Sequence, residues 1–219
     1  MESTDVQIGT YHTRTDFGLT LYDLELGMPE VKTSYKDLPL TNGSIDLSEA
    51  VTGQPCYGTR TLRLYFAQED RSPEAWIRMY TQLSSALHGR RMPITFGFDP
   101  DCYYMGRIAC ETDKKSFEVS LYTITATCDP FKYAHAVSDA DISGGSTETI
   151  VNDGDNTVCP TLTASAGGMS VSFNGEAAFS IPTADSPTRI PELLLLPGTN
   201  TVIVTGNGTL NLQWREEKL

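Results

Sequence analysis

Side chains able to do chemistry are few and scattered in this sequence of 219 residues. The three histidines, His12, His88 and His135, fall in unrelated segments, with no Cys, Asp or Glu beside them in a ligand spacing. They read as surface or half-buried side chains. A serine nucleophile needs a strained turn, and no Gly-x-Ser-x-Gly occurs. No Gly-rich loop runs into Lys-Ser or Lys-Thr, the arrangement that cradles phosphates. Asn152-Asp153-Gly154-Asp155-Asn156 has the composition of a calcium loop but lacks the downstream bidentate glutamate, so it reads as a polar loop. Asp99 and Asp101 flank Pro100, and a turn explains them without acid–base work. The expectation is no catalytic, cofactor-binding or metal-binding residue, no cofactor, and no enzyme.

Five cysteines, at 56, 102, 110, 128 and 159, are odd in number and widely spaced. Neither a disulfide framework nor a zinc site has that pattern, so they read as buried free thiols of a chain folded in a reducing cytoplasm. The N-terminus lacks the basic and apolar regions of a signal peptide, and the longest apolar run, Leu193 to Leu196, is far too short to span a membrane. The formal charge of −12 argues against tight nucleic-acid binding, which draws on clustered Lys and Arg. Arg90-Arg91 and Lys114-Lys115 are too short to form such a track.

The elements that must carry these residues are mostly strands. Thr61 to Phe66 alternates Leu62, Leu64 and Phe66 with Arg63 and Tyr65. Pro93 to Phe98 repeats this with Ile94, Phe96 and Phe98. Ser116 to Thr125 sets Phe117, Val119 and Leu121 against Tyr122 and Ile124. Asp99-Pro100-Asp101 is expected to turn one strand into the next. One helix is predicted from Pro73 to about Leu87. Ser72 suits its N-cap, Pro73 its first position, and Gly89 its C′ position. Trp76, Tyr80, Leu83 and Leu87 are expected to form its packing face.

Composition changes near residue 133. Residues 1–132 hold 13 Lys+Arg and 18 Asp+Glu, whereas 133–219 hold 3 and 10. The second stretch has short alternating runs at Leu162, Met169 to Phe173, Ala177 to Ile181, Thr201 to Thr205 and Thr209 to Trp214. Asn174-Gly175, Pro197-Gly198 and Gly206-Asn207-Gly208 separate them, the pattern of a small antiparallel sandwich. Ser138 to Asp155 is expected to be an interdomain or edge loop. Sandwiches that bind sugars usually do so on an aromatic platform. Here Phe173, Phe179 and Trp214 share the phase of aliphatic neighbours, which turns them inward.

Several stretches resemble one family. Leu40 to Ala50 followed by Tyr57-Gly58-Thr59-Arg60 is similar to a segment of siphophage distal tail proteins (Dit). A helix ending Ala86-Leu87-His88-Gly89, the run Phe98 to Arg107, Cys128 to Tyr133, and Leu196 to Thr201 leading to Gly208 and Trp214-Arg215 follow in the same order. The resemblance implies a mainly β fold: a β-sandwich or barrel-like ring domain with one α-helix over 1–132, then a galectin-like antiparallel β-sandwich over 133–219. It implies a hexameric ring at the virion tail tip (baseplate), assembled in the bacterial host cytoplasm. The implied partners are other copies of the chain, the major tail tube protein and the tail-tip hub or tail-associated lysin protein, with receptor-binding proteins a further candidate. Longer members carry sugar-binding insertions for which this length leaves no room. The competing expectation is a carbohydrate-binding module or host-adhesion protein.

Overall fold

The computed structural model describes residues 4–40, 42–70, 72–111 and 121–219. The chain divides into two compact units, 1–130 and 131–219. In the first unit the order is β1 (Val6–Ile8), β2 (Tyr11–His12), α1 (Thr13–Phe17), β3 (Leu19–Leu26), β4 (Val31–Lys32), β5 (Tyr35–Asp37) and β6 (Ser44–Asp46). Then come β7 (Cys56–Tyr57), β8 (Arg60–Gln68), α2 (Pro73–Ala86), β9 (Arg91–Phe96), β10 (Asp99–Glu111) and β11 (Leu121–Ala134), the last crossing the unit boundary. The second unit holds β12 (Ser138–Ser143), β13 (Thr147–Asn152), β14 (Thr161–Ala164), β15 (Met169–Phe173), β16 (Phe179–Ile181), β17 (Gly198–Thr205), β18 (Thr209–Trp214) and β19 (Glu217–Lys218). The protein is mainly β, as expected.

The main sheet of the first unit orders its strands β2-β1-β9-β10-β11-β8-β3. Alternation in β8 sends Leu62, Leu64 and Phe66 into the core, each fully buried, while Arg63 faces out. Across the ladder Tyr65 pairs with Thr123 and Leu64 with Ile124, so the buried face of β11 is Tyr122, Ile124 and Ala126. Phe117 and Val119 lie outside the described residues. Helix α2 covers this core. Its N-cap is Ser72, whose Oγ accepts from the Ala75 amide at 3.2 Å.

The packing face of α2 differs from the expected stripe. Ala75, Met79, Leu83 and Leu87 are buried, one row along from the aromatics. Trp76 is only partly buried and Tyr80 is exposed; their rings stack at 5.7 Å along the border of that face. Four-residue spacing explains the choice, since 75, 79, 83 and 87 form one continuous ridge. Gly89 has the expected positive φ of 76°. Its amide, however, donates to Ile108 O and not back into the helix, so it fastens the helix exit to β10. The short α1, which ends on Gly18 at φ 64°, was not predicted: its five residues bury only Thr13 and Phe17, too little for a periodic signal.

The expected turn at Asp99-Pro100-Asp101 is displaced. Asp99 already pairs with Phe96, so the hairpin turns through Gly97-Phe98, and the register then shifts before Tyr104 meets Ile94. Pro100 sits in that irregularity, which tolerates a residue with no amide to donate.

In the second unit, β12-β18-β14 and β13-β17-β15-β16 form two antiparallel sheets. Leu162, Leu210 and Leu212 of one sheet share a core with Val171, Phe173, Val202 and Val204 of the other. Asn174-Gly175 turns β15 toward β16 with φ of 51° and 82°, which favours this residue pair. The expected loop over Ser138 to Asp155 is instead mostly strand. β12 pairs along β18 and β13 along β17. Both are edge strands whose exposed residues are mostly Asp, Ser, Thr and Glu, and their buried residues are Ile142, Ile150 and Asn152, with Ala140 partly buried against the core. That is too sparse an apolar signal to read as strand.

Candidate functional site

The residues that could do chemistry are occupied by structure. His12 Nδ1 lies 3.0 Å from Asp5 Oδ2, a pair that spacing alone did not suggest. Asp5 is nearly buried and also accepts from Thr13 Oγ1 and the Arg14 amide. Burial would raise its carboxyl, but hydrogen bonds from His12, Arg14 and Thr13 outweigh burial and hold it below the usual aspartate range. Thr13 Oγ1 gives its proton to Asp5 and accepts from the Val6 amide at 3.1 Å. It is therefore not a nucleophile activated by His12, and the cluster ties the N-terminal strands to α1. His88 Nδ1 accepts from the Cys110 amide. His135 lends its carbonyl to Arg215. No two of the three histidines are brought together.

The other candidates fare alike. In the Asn152–Asn156 loop, Asn152 Oδ1 accepts from the Gly154 amide and its Nδ2 donates to Asn156 O, so the loop closes on itself. Asp155 Oδ2 accepts from the Leu219 amide. Among the described residues no group of three His, Cys, Asp or Glu could hold a metal. The five cysteines are free. Burial pushes the Cys110 thiol up to about 11 and that of Cys128, with the nearby Asp129 adding to it, up to about 12. Those two are thiols and not reactive thiolates at neutral pH. Phe173 and Trp214 are buried in the sandwich core, and Phe179 is partly buried against it. Among the described residues no helix is long and apolar enough to cross a membrane.

What stands out is a surface. Between β3 and β8 the chain leaves the sheet and returns as an arm, residues 27–57. Its strands pair in two short ladders, β4–β7 and β5–β6. At its root the Gly27 amide donates to Thr61 O and the Gly58 amide to Glu30 O. Met28, Val31, Tyr35, Leu38, Leu40, Ile45, Leu47 and Val51 are all exposed, Met28 by 82%, Val51 by 96% and Leu40 fully. Leu40 also has φ 65°, an uncommon conformation for a leucine. A two-stranded ribbon is marginal in water, and these large apolar side chains of the arm lie in solvent. Polar contacts hold its shape: Ser48 Oγ donates to Asp46 and accepts from the Ser34 amide, and Ser44 Oγ donates to Asp37. Asp46 sits below the usual aspartate range because Ser48 hydrogen-bonds it. In the sequence this segment stands out by the likeness of Leu40 to Ala50 to a distal tail protein segment, and its exposure leaves no local signal.

A second unusual side chain lies where the arm rejoins the sheet. Arg60 is buried, yet its Nε and Nη2 have no hydrogen-bond partner among the described residues. Its guanidinium sits over the Tyr104 ring, 5.5 Å from the centroid.

No family model matches the chain, and no curated protein matches it. Among solved structures it is similar to the crystal structure of SPP1 Dit (gp 19.1), described as a paradigm of the hub adsorption apparatus in phages infecting Gram-positive bacteria. The TM-score is 0.70 and the identity 15%, over 96% of this chain and 98% of that one. The family motifs read from the sequence and the architecture therefore agree: this chain has the fold of a phage distal tail protein.

Proposed function

We propose that this chain is a structural ring protein of a long-tailed phage or prophage, a distal tail hub that joins the tail tube to the tail-tip apparatus, and not an enzyme. The observation that carries this reading is the arm. An apolar ribbon with no cover of its own suits burial against the next copy in a closed ring, where one patch must match a different patch on its neighbour. The Dit fold supports the same reading, and the resemblance supplies the copy number, six.

In this reading residues 1–132 form the ring and 133–219 form a galectin-like sandwich displayed around it. The partners are further copies, the tail tube protein, the tail-tip hub protein and receptor-binding proteins, all at the virion tail tip. No residue is assigned a catalytic, cofactor or metal role. Light scattering over a concentration series tests this. A hexamer, or a mass that climbs toward one, is expected, and a strict monomer at every concentration speaks against a ring that closes by itself.

A further inference from the structure

The sandwich carries an open apolar depression of about 430 Å³ beside its edge strand β16. Its wall is built by the run Leu193 to Leu196, which the fold splits between two faces. Leu193 and Leu195 are buried, while Leu194 and Leu196 are 39% and 48% exposed and line the depression together with Phe173 and Phe179. The wall is fixed in place. Val158 and Leu195 exchange backbone hydrogen bonds at 3.0 and 2.9 Å. Buried Asn200 donates to Leu196 O and Gly198 O and accepts from the Leu196 amide. Asn174 also lines the depression and is tied to the same Asn200, to whose Oδ1 its Nδ2 donates. The depression is thus preformed, so an occupant loses little to ordering it.

Its charge has one sign. Glu176 and Glu192 line it, both are exposed, and no Lys or Arg does. The neighbouring β16 is the last strand of its sheet, and among the described residues no further strand pairs with its outer edge, the side on which an added strand can form a ladder. The geometry points to a docking site for an extended segment of another protein, with aliphatic side chains for Phe179, Leu194 and Leu196 and Lys or Arg for the two glutamates. A second copy of this chain fits poorly. Its own exposed apolar segment, the arm, carries Glu30, Asp37, Asp46 and Glu49 against Lys32 and Lys36, which gives no positive complement. This site goes beyond the ring reading, since it needs no ring to work.

Fluorescence anisotropy of a labelled synthetic peptide of alternating valine and lysine, titrated with the full chain, tests it. A valine–glutamate peptide of equal length and a panel of soluble oligosaccharides serve as controls. Binding of the lysine peptide alone is expected, weakened roughly tenfold in Glu176→Gln/Glu192→Gln, as two exposed ion pairs allow. It is expected to be lost in Leu194→Ser/Leu196→Ser. The pair Asp139→Asn/Glu148→Gln removes as much charge elsewhere on the unit and is expected to leave binding unchanged. Thermal melts matching the parent show that each variant folds. Equal binding of the acidic peptide, displacement by an oligosaccharide, an equal loss in the Asp139/Glu148 pair, or no binding at all overturns the proposal. The mass of the chain, measured separately, reports on the ring and leaves this result unaffected.

Discussion

Strand β8 and the arm that precedes it both carry large apolar side chains, yet they put them in opposite places. In β8, Leu62, Leu64 and Phe66 are fully buried beneath α2 and the rest of the sheet. In the arm, Met28, Leu40 and Val51 stand almost wholly in solvent. The first segment has neighbours on both edges, β11 and β3. The described strands of the second pair with its own return strands. Apolar spacing says that a surface is to be covered, and chain topology decides whether the same chain can cover it. An arm joined to the sheet at its root leaves that surface open, and in the proposed ring the next copy covers it.

The contrast can be broken from either side. Leu64→Ala removes a fully buried side chain and is expected to destabilise the monomer by about 2–5 kcal/mol, read from urea denaturation. Any effect on assembly should follow only from unfolding. Leu40→Asp with Val51→Asp should do the reverse. Assembly by light scattering is expected to fail, while monomer stability stays within about 0.5 kcal/mol because neither side chain is buried. A large stability loss there would mean that the arm belongs to the monomer's core.

Arg60 lies between the two cases, buried like the core but polar and unpaired at two nitrogens. Arg60→Met is expected to hold or raise monomer stability by about 1 kcal/mol in the same urea experiment, because a desolvated guanidinium is replaced by a side chain that packs. A loss of several kcal/mol would mean that the stacking on Tyr104 outweighs the desolvation. Smallest of all, Ser72→Ala removes the helix cap and should cost about 1 kcal/mol, with assembly untouched.

How much of this was legible depended on where the physics is local. The β8 alternation, the Ser72-Pro73 start of α2 and the Asn174-Gly175 turn are set by residues close in sequence, and each is where the residues put it. The packing row of α2 differs from the expected one because Trp76 and Tyr80 share the spacing of Leu83 and Leu87, yet the smaller Ala75 and Met79 are the ones buried beneath the helix. Strands β12 and β13 were missed because an edge strand of a small sandwich shows mostly polar residues. Its inward Asn152 is paid for by hydrogen bonds, not by apolar contact. At the site, sparse chemistry was legible from the scattered histidines. The Asp5–His12 contact was not, since a hairpin and the start of α1 bring the two together. Exposure of the arm was equally hidden, because the same apolar types serve a core and an interface.

The most direct test of the central claim is the mass of the full chain beside that of a variant with residues 28–56 replaced by a short Gly-Ser linker between Gly27 and Tyr57, both by light scattering across concentration. The full chain is expected to reach a hexamer, and the variant, still folded by its thermal melt, to stay monomeric. A folded variant that assembles as the full chain does would contradict that claim.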